Sequence, residues 1–131
     1  MKYILESMDE KTTVSELRQL INQFIAARNW EKYHTPKNLS LAIAVEVAEL
    51  IECFQWMSDE DSIRFSHGKQ LINPPPSRKK IAKPSESRKS VQDELADIMC
   101  LCIAFANSID LDISEAIMNK QKINEQRYPL K

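Results

Sequence analysis

The sequence predicts an all-α bundle of four main helices and a short one, and three observations predict it. Apolar residues recur at 3-4 spacing over long stretches, the period of a helix that buries one face. Helix-capping residues stand ahead of those stretches. The 131 residues include one glycine, Gly68. That is too few for hairpin turns, for a dinucleotide-binding fingerprint or for a phosphate-binding P-loop.

In chain order, residues 1–11 read as a short polar arm, an extended lead-in. Thr13-Val-Ser-Glu16 is a capping box. It opens a helix whose stripe is Val14, Leu17, Leu20, Ile21, Phe24 and Ile25, ending near Arg28. Residues 30–37 form a turn, because Pro36 pushes Thr35 towards extended geometry. A central helix spans roughly 39–57 and is apolar on more than one face, so several neighbours should bury it. Ser58 restarts a short helix to about Ser66, and Gly68 ends it. Residues 70–89, with Pro74-Pro75-Pro76, Pro84 and six bases, read as a flexible linker. Ser90 to Asp93 cap the next helix, which runs to about Asn107. Asp112 and Glu115 start the last, and Tyr128-Pro129 stops it near Arg127.

The length fits a single domain, 1–131. Charged residues make up 28% and the hydrophobic set 43%, with a net charge of −1. Neither nucleic acid nor a membrane surface is called for by that balance. No segment reaches the roughly 18 consecutive apolar residues of a membrane span. An odd number of cysteines, Cys53, Cys100 and Cys102, all in apolar helical patterns, indicates a reducing compartment, the cytoplasm.

Against this ordinary background two stretches stand out. The central helix carries Glu46, Glu49 and Glu52 at spacing three through an apolar run, and a later helix carries Glu94 and Asp97. Residues three apart share a helical face. Such rows either lie on solvated faces, paired with Lys and Arg, or collect a cation. If the two helices pack side by side, Glu46 and Glu49 face Glu94 and Asp97, and four carboxylates cannot all ionise there unaided. A hard divalent ion resolves the conflict, and Mg²⁺ in particular takes oxygen ligands together with substrate phosphates. Zinc would want clustered Cys and His, and a di-iron bundle would want Glu-x-x-His. Neither His34 nor His67 has that placement. Glu52 reads as solvated and Asp93 as a helix-start charge.

Taken together these residues resemble the MazG-like all-α nucleoside triphosphate pyrophosphatases, and within them the dCTP pyrophosphatase branch. The resemblance is carried by Glu46-Val-Ala-Glu49 and Glu94-Leu-Ala-Asp97. It is also carried by the run NWEKYHTPKNLSLAIAVEVAELIECFQW over residues 29–56, and by the tail Lys120, Asn124, Arg127, Tyr128 and Pro129. It covers about residues 14–129, the linker excepted. It implies hydrolysis between the α and β phosphorus of a dCTP-like substrate in a homodimer or homotetramer. Glu46, Glu49, Glu94 and Asp97 would hold Mg²⁺, and Glu49 would also orient or deprotonate the attacking water. Lys120, Asn124 and Arg127 would meet the phosphates, while Trp30, His34 and Trp56 would form the base pocket. Lys37 and Asn38 would cap the central helix or approach the substrate.

Two departures leave alternatives open. Where the branch often has a tyrosine one turn after the acidic Asp, this chain has Leu101, and the 70–89 linker is longer than the family's. The base remains open between dCTP, dUTP and a broad set of triphosphates. A helical module that binds nucleotide or a partner without turnover is the alternative from another class.

Overall fold

The computed structural model describes residues 7–76 and 84–131. Among them it has six α-helices and no strand. The helices are α1 (Met8–Lys11), α2 (Val14–Ala27), α3 (Pro36–Phe54), α4 (Asp59–Ser66), α5 (Pro84–Ser108) and α6 (Ile113–Arg127), with a 3₁₀ turn at Glu31–Tyr33 before α3. The chain divides into two compact units, Met1–Leu39 with Cys102–Lys131, and Ser40–Leu101.

In the first unit, α1 puts one helical turn where residues 8–11 of the expected extended arm fall, capped by the Ser7 hydroxyl, which accepts from Asp9 N; residues 1–6 of that arm lie outside the described part. The capping box of α2 is present in both directions: Glu16 N donates to Thr13 Oγ1 and Thr13 N to Glu16 Oε2, at 3.1 and 2.8 Å. Asn29 takes a left-handed φ of 54° and turns the chain, so that Trp30 N bonds back to Ile25 O. Pro36 does not delay α3 as the expected boundary near Leu39 required. It opens the helix, where its missing N–H is no loss. Thr35 supports that start by accepting from Asn38 N, and the Asn38 amide donates to Tyr33 O. Ile25, Leu39, Ala104 and Ala106 are the buried apolar residues of this unit.

Polar bonds lock α2 to the end of α5 in the same unit. Arg18 Nε donates to Asn107 Oδ1 at 2.8 Å, and its guanidinium also reaches Leu111 O. The Asn107 amide nitrogen spends both protons, on Arg18 O and Asn22 Oδ1. Asp112 caps α6 by accepting from Glu115 N.

In the second unit, α3 stops at Phe54 rather than Met57. Trp56 takes a left-handed φ of 66°, an uncommon state for a bulky residue that costs about 1–2 kcal/mol. The reversal brings Ser58 into place as the cap of α4, accepting from Asp61 N. Helix α4 is then fastened at its far end. Carbonyls of its last turn accept side-chain donors: Ile63 O from His67 Nδ1, Phe65 O from the Ser87 hydroxyl and Ser66 O from an Arg88 guanidinium N–H. Gly68 adopts a φ of 66°, which lets Lys69 N close on Arg64 O.

The expected linker resolves into parts. Residues 70–76 are tied down: Asp61, almost fully buried, accepts from Ile72 N at 2.7 Å and Asn73 N at 2.9 Å, and Arg64 donates to Gln70 O. Residues 84–89 are the first turns of α5, which starts at Pro84 and not at the expected Ser90 cap; Ser90 sits inside the helix and donates to Glu86 O. Residues 77–83 lie outside the described part. Phe54 and Phe65 meet edge to face at 6.0 Å between centroids.

Asp61→Ala removes the acceptor for two backbone N–H groups in a buried place. The expected result is a loss of about 2–3 kcal/mol of unfolding free energy in urea titrations. A loss below about 0.5 kcal/mol would show that the anchor carries no stability, since surface changes lie within that range.

Candidate active site

Within the second unit, α3 and α5 bring the predicted acids together. One carboxylate oxygen from each of Glu46, Glu49 and Glu94 lies within 4.8 Å of the other two. Glu46 and Glu94 are half-buried and Glu49 is exposed. Asp97 is exposed and stands outside that trio, although its charge is felt by both half-buried acids. Oε2 of Glu46 and Oε2 of Glu94 are buried with no hydrogen-bond partner.

The electrostatics follow from that crowding. The Glu46 carboxyl is pushed above its ordinary value first by lost hydration, then by a hydrogen bond to Glu49 that only an acid can make. The charges of Glu49, Asp97 and Glu94 add to this. Glu94 is raised by lost hydration, by its bond to Glu49 and by the charges of Glu49 and Asp97; a hydrogen bond with Glu46 works the other way. The Cys100 thiol is also pushed up, by burial and by Asp97, which keeps it a neutral thiol.

This donor set fits a cation. Two acceptor oxygens are buried without a donor, an arrangement that is costly unless something positive meets them. Oxygens within 4.8 Å of one another are spaced for one hard ion: Ca²⁺, at about 2.3–2.6 Å from each, spans that limit, and Mg²⁺, at about 2.0–2.1 Å, draws them to within about 4.2 Å. No His or Cys belongs to the trio, which is the chemistry of a hard ion.

The remaining predicted residues fall in separate places. Trp30 and His34 are adjacent in the first unit, their rings tilted at 6.3 Å between centroids. Trp30 also meets Phe24 edge to face at 5.7 Å, and the Arg28 guanidinium lies 3.6 Å over the Phe24 ring. Lys120, Asn124 and Arg127 ride on α6 at spacings four and three; Lys120 and Arg127 are exposed and Asn124 is half-buried. Trp56 belongs to the second unit, where its indole is 79% exposed at the turn after α3. Glu52 is exposed.

A cavity of about 300 Å³ in the first unit was not legible beforehand. Asn22, Ile25, Glu31, His34, Ala104 and Asn107 line it, with Ser108 at its edge. His34 Nδ1 is buried and has no hydrogen-bond partner. Asn22 and Asn107 stand 85 positions apart, so spacing along the chain could not pair them. Glu31 sits beside Trp30 and His34 in sequence, and that proximity was the one available signal.

Fold and site define an all-α protein with an acidic, cation-seeking centre on two helices. A model of the MazG-like family matches residues 41–131. The dCTP pyrophosphatase 1 of Mus musculus is 36% identical over 118 residues, 90% of this chain and 60% of that protein. The Homo sapiens protein of the same name is 34% identical over 123 residues, 94% of this chain and 63% of that one. A solved pyrophosphatase from Archaeoglobus fulgidus is 32% identical with a TM-score of 0.69, covering 88% of this chain and 92% of its own. The chain belongs to the MazG-like family. It spans less than two thirds of the length of the curated relatives it matches.

The raised acids give a signed pH dependence. Between the ordinary value of 4.5 and the raised folded-state value, the folded chain holds more protons than the unfolded one. Stability of the metal-free protein therefore falls as pH rises through that window. Metal-free Glu94→Gln is expected to melt above wild type at pH 7, the difference shrinking towards pH 4.5. Calorimetric melting in EDTA checks this; a variant melting below wild type at pH 7 contradicts the crowding.

Proposed function

We propose that this chain hydrolyses a nucleoside triphosphate, dCTP or a modified dCTP foremost, to the monophosphate and pyrophosphate, so removing unwanted nucleotides from the pool. The observation that carries the reading is the pair of buried, unpartnered oxygens on Glu46 and Glu94 beside Glu49. The names of the curated relatives support dCTP as substrate, and the Archaeoglobus relative supports pyrophosphatase chemistry.

Mg²⁺ is the proposed ion, with Glu46, Glu49, Glu94 and Asp97 as the residues that would hold it. When bound, it supplies positive charge to the phosphate oxygens and makes water more acidic. Glu49 is the residue proposed to orient the attacking water and accept its proton, a role that its solvent access supports. Lys120, Asn124 and Arg127 donate to phosphate oxygens, where cationic donors are strongest. Trp30, His34 and Trp56 receive the base, the indoles by stacking. The carboxylate pair that repels without a cation is thus the part that demands one, and the triphosphate brings its own ligands to it.

Leu101 favours a second reading on substrate range. A leucine offers no hydrogen bond to sugar or phosphate, so activity extends to dUTP or to a broad set of triphosphates.

We further propose a single functional domain acting as a homodimer or homotetramer. Leu41, Val45 and Ile51 on α3 and Leu95 and Met99 on α5 are exposed in the single chain. Apolar surface of that extent is characteristic of interfaces. Cys53, Cys100 and Cys102 form no disulfide, which suits the reducing cytoplasm. Among the described residues no helix is long and apolar enough to cross a membrane.

Pyrophosphate release from a nucleotide panel, with Mg²⁺ and with EDTA, tests the reaction. Release from dCTP that EDTA abolishes is expected; no release from any triphosphate leaves only the non-catalytic binding module. Glu49→Gln should lower kcat by at least about a hundredfold, the scale of a lost general base, while its circular dichroism stays that of wild type. Full activity in that variant refutes the role given to Glu49. Saturating Mg²⁺, at about a hundred times its Kd, should stabilise wild type by about 2.7 kcal/mol and leave Glu46→Gln/Glu94→Gln unmoved. In sedimentation experiments wild type should run as a dimer or tetramer and Val45→Glu as a smaller species; a monomeric wild type removes the assembly.

A further inference from the structure

The cavity beside His34 is not used by the acidic centre, and its chemistry is specific. Its floor is apolar, from the buried Ile25 and Ala104. Its polar groups differ in how much freedom they retain. Asn107 has none: Oδ1 accepts from Arg18, and both amide protons are given away. The amide therefore cannot flip, and it fixes Asn22 by donating to Asn22 Oδ1 at 3.0 Å. That leaves the Asn22 amide nitrogen as a donor. Ser108 Oγ spends its proton on Phe105 O and keeps lone pairs. His34 Nδ1 is buried and unpartnered, and Glu31 contributes an acceptor-only carboxylate.

One wall thus offers a full negative charge with no protein cation in the lining, and the other groups offer single donors and acceptors. A ligand that fits must present N–H donors to Glu31 and a flat body to the apolar floor. The volume, about 300 Å³, lies at the small end of ligand sites, which suits one ring better than a whole nucleotide. Trp30, in contact with His34, supplies an indole at the same place.

We propose that this cavity takes the pyrimidine ring and that Glu31 selects cytosine over uracil, an inference that rests on the dCTP reading above. Cytosine carries an exocyclic amine at position 4, which donates to a carboxylate; this is the pairing by which Glu and Asp read cytosine in other settings. Uracil carries a carbonyl at the same position, and its oxygen meets the Glu31 carboxylate acceptor to acceptor. Rejection comes from setting the uracil oxygen against a carboxylate that can only accept, while cytosine gains a charge-assisted hydrogen bond there. The Asn22 amide nitrogen is the donor left for the ring's remaining acceptors, N3 and O2. Glu31 is then a specificity residue, separate from the acids that hold the ion.

Calorimetric binding of dCMP and dUMP to the full chain tests the inference without requiring turnover. Wild type should bind dCMP about tenfold or more tightly than dUMP, the scale of one charge-assisted hydrogen bond. Glu31→Gln should bring the two within about twofold, because a turned amide can serve either base. Glu31→Lys should reverse the order, its ammonium donating to the uracil carbonyl. Glu31 is exposed and holds no side-chain hydrogen bond, so both variants should keep the wild-type melting temperature. Equal binding of dCMP and dUMP by wild type, binding of neither, or an unchanged ratio in both variants overturns the proposal. The companion measurement is pyrophosphate release from dCTP and dUTP. Hydrolysis with a ratio indifferent to Glu31 sinks this inference and leaves the pyrophosphatase reading standing. A Glu31-dependent preference for dCMP in a chain that hydrolyses nothing sinks the pyrophosphatase reading and leaves the cavity standing.

Discussion

Three carboxylates held within 4.8 Å of one another are the constraint around which this chain is arranged. Like charges at that separation repel, and two of the oxygens have been taken out of water without a donor. Lost hydration leads the causes that raise both Glu46 and Glu94, so the protein matrix drives the perturbation as well as the neighbouring charge. Such stored repulsion is the electrostatic signature of a functional site more often than of a structural one.

The rest of the second unit supports those helices by polar means. Few of its apolar side chains are fully buried, with Cys53 and Phe65 the clearest. Rigidity comes instead from Asp61 on the following loop and from Ser87 and Arg88 on the end of α4. In the first unit the corresponding device is the Arg18–Asn107–Asn22 network. Both devices use side chains to bind backbone groups elsewhere in the chain, Ile72 N and Asn73 N in one and Leu111 O in the other.

What could be read from the sequence was whatever is local. The Thr13 capping box, the Ser58 and Asp112 caps and the i, i+3 rows of acids all act over one helical turn, and all are present. Boundaries set by tertiary contacts were not legible. Pro84 begins α5 six residues ahead of the Ser90 cap, where Ser87 and Arg88 bond α4, an interaction 22 positions long. The turn at Trp56 likewise depends on where the chain must go next, which no propensity encodes. Of the site, the acids were visible because charge in an apolar run is conspicuous. The cavity at Glu31 was hidden because its walls come from α2 and α5, and an asparagine carries no pattern by itself.

The anchoring of the segment after α4 has a consequence for how such a chain can change over evolution. Asn73 is pinned on one side by Asp61, and Ser87 is pinned on the other to Phe65. The connection between two fixed points contributes little to stability through its length, since doubling a loop costs only about 0.6 kcal/mol. This stretch can therefore gain or lose residues while the acidic helices keep their register. It is a natural position at which new sequence, and eventually new recognition, can be grafted beside an unchanged pair of acidic helices.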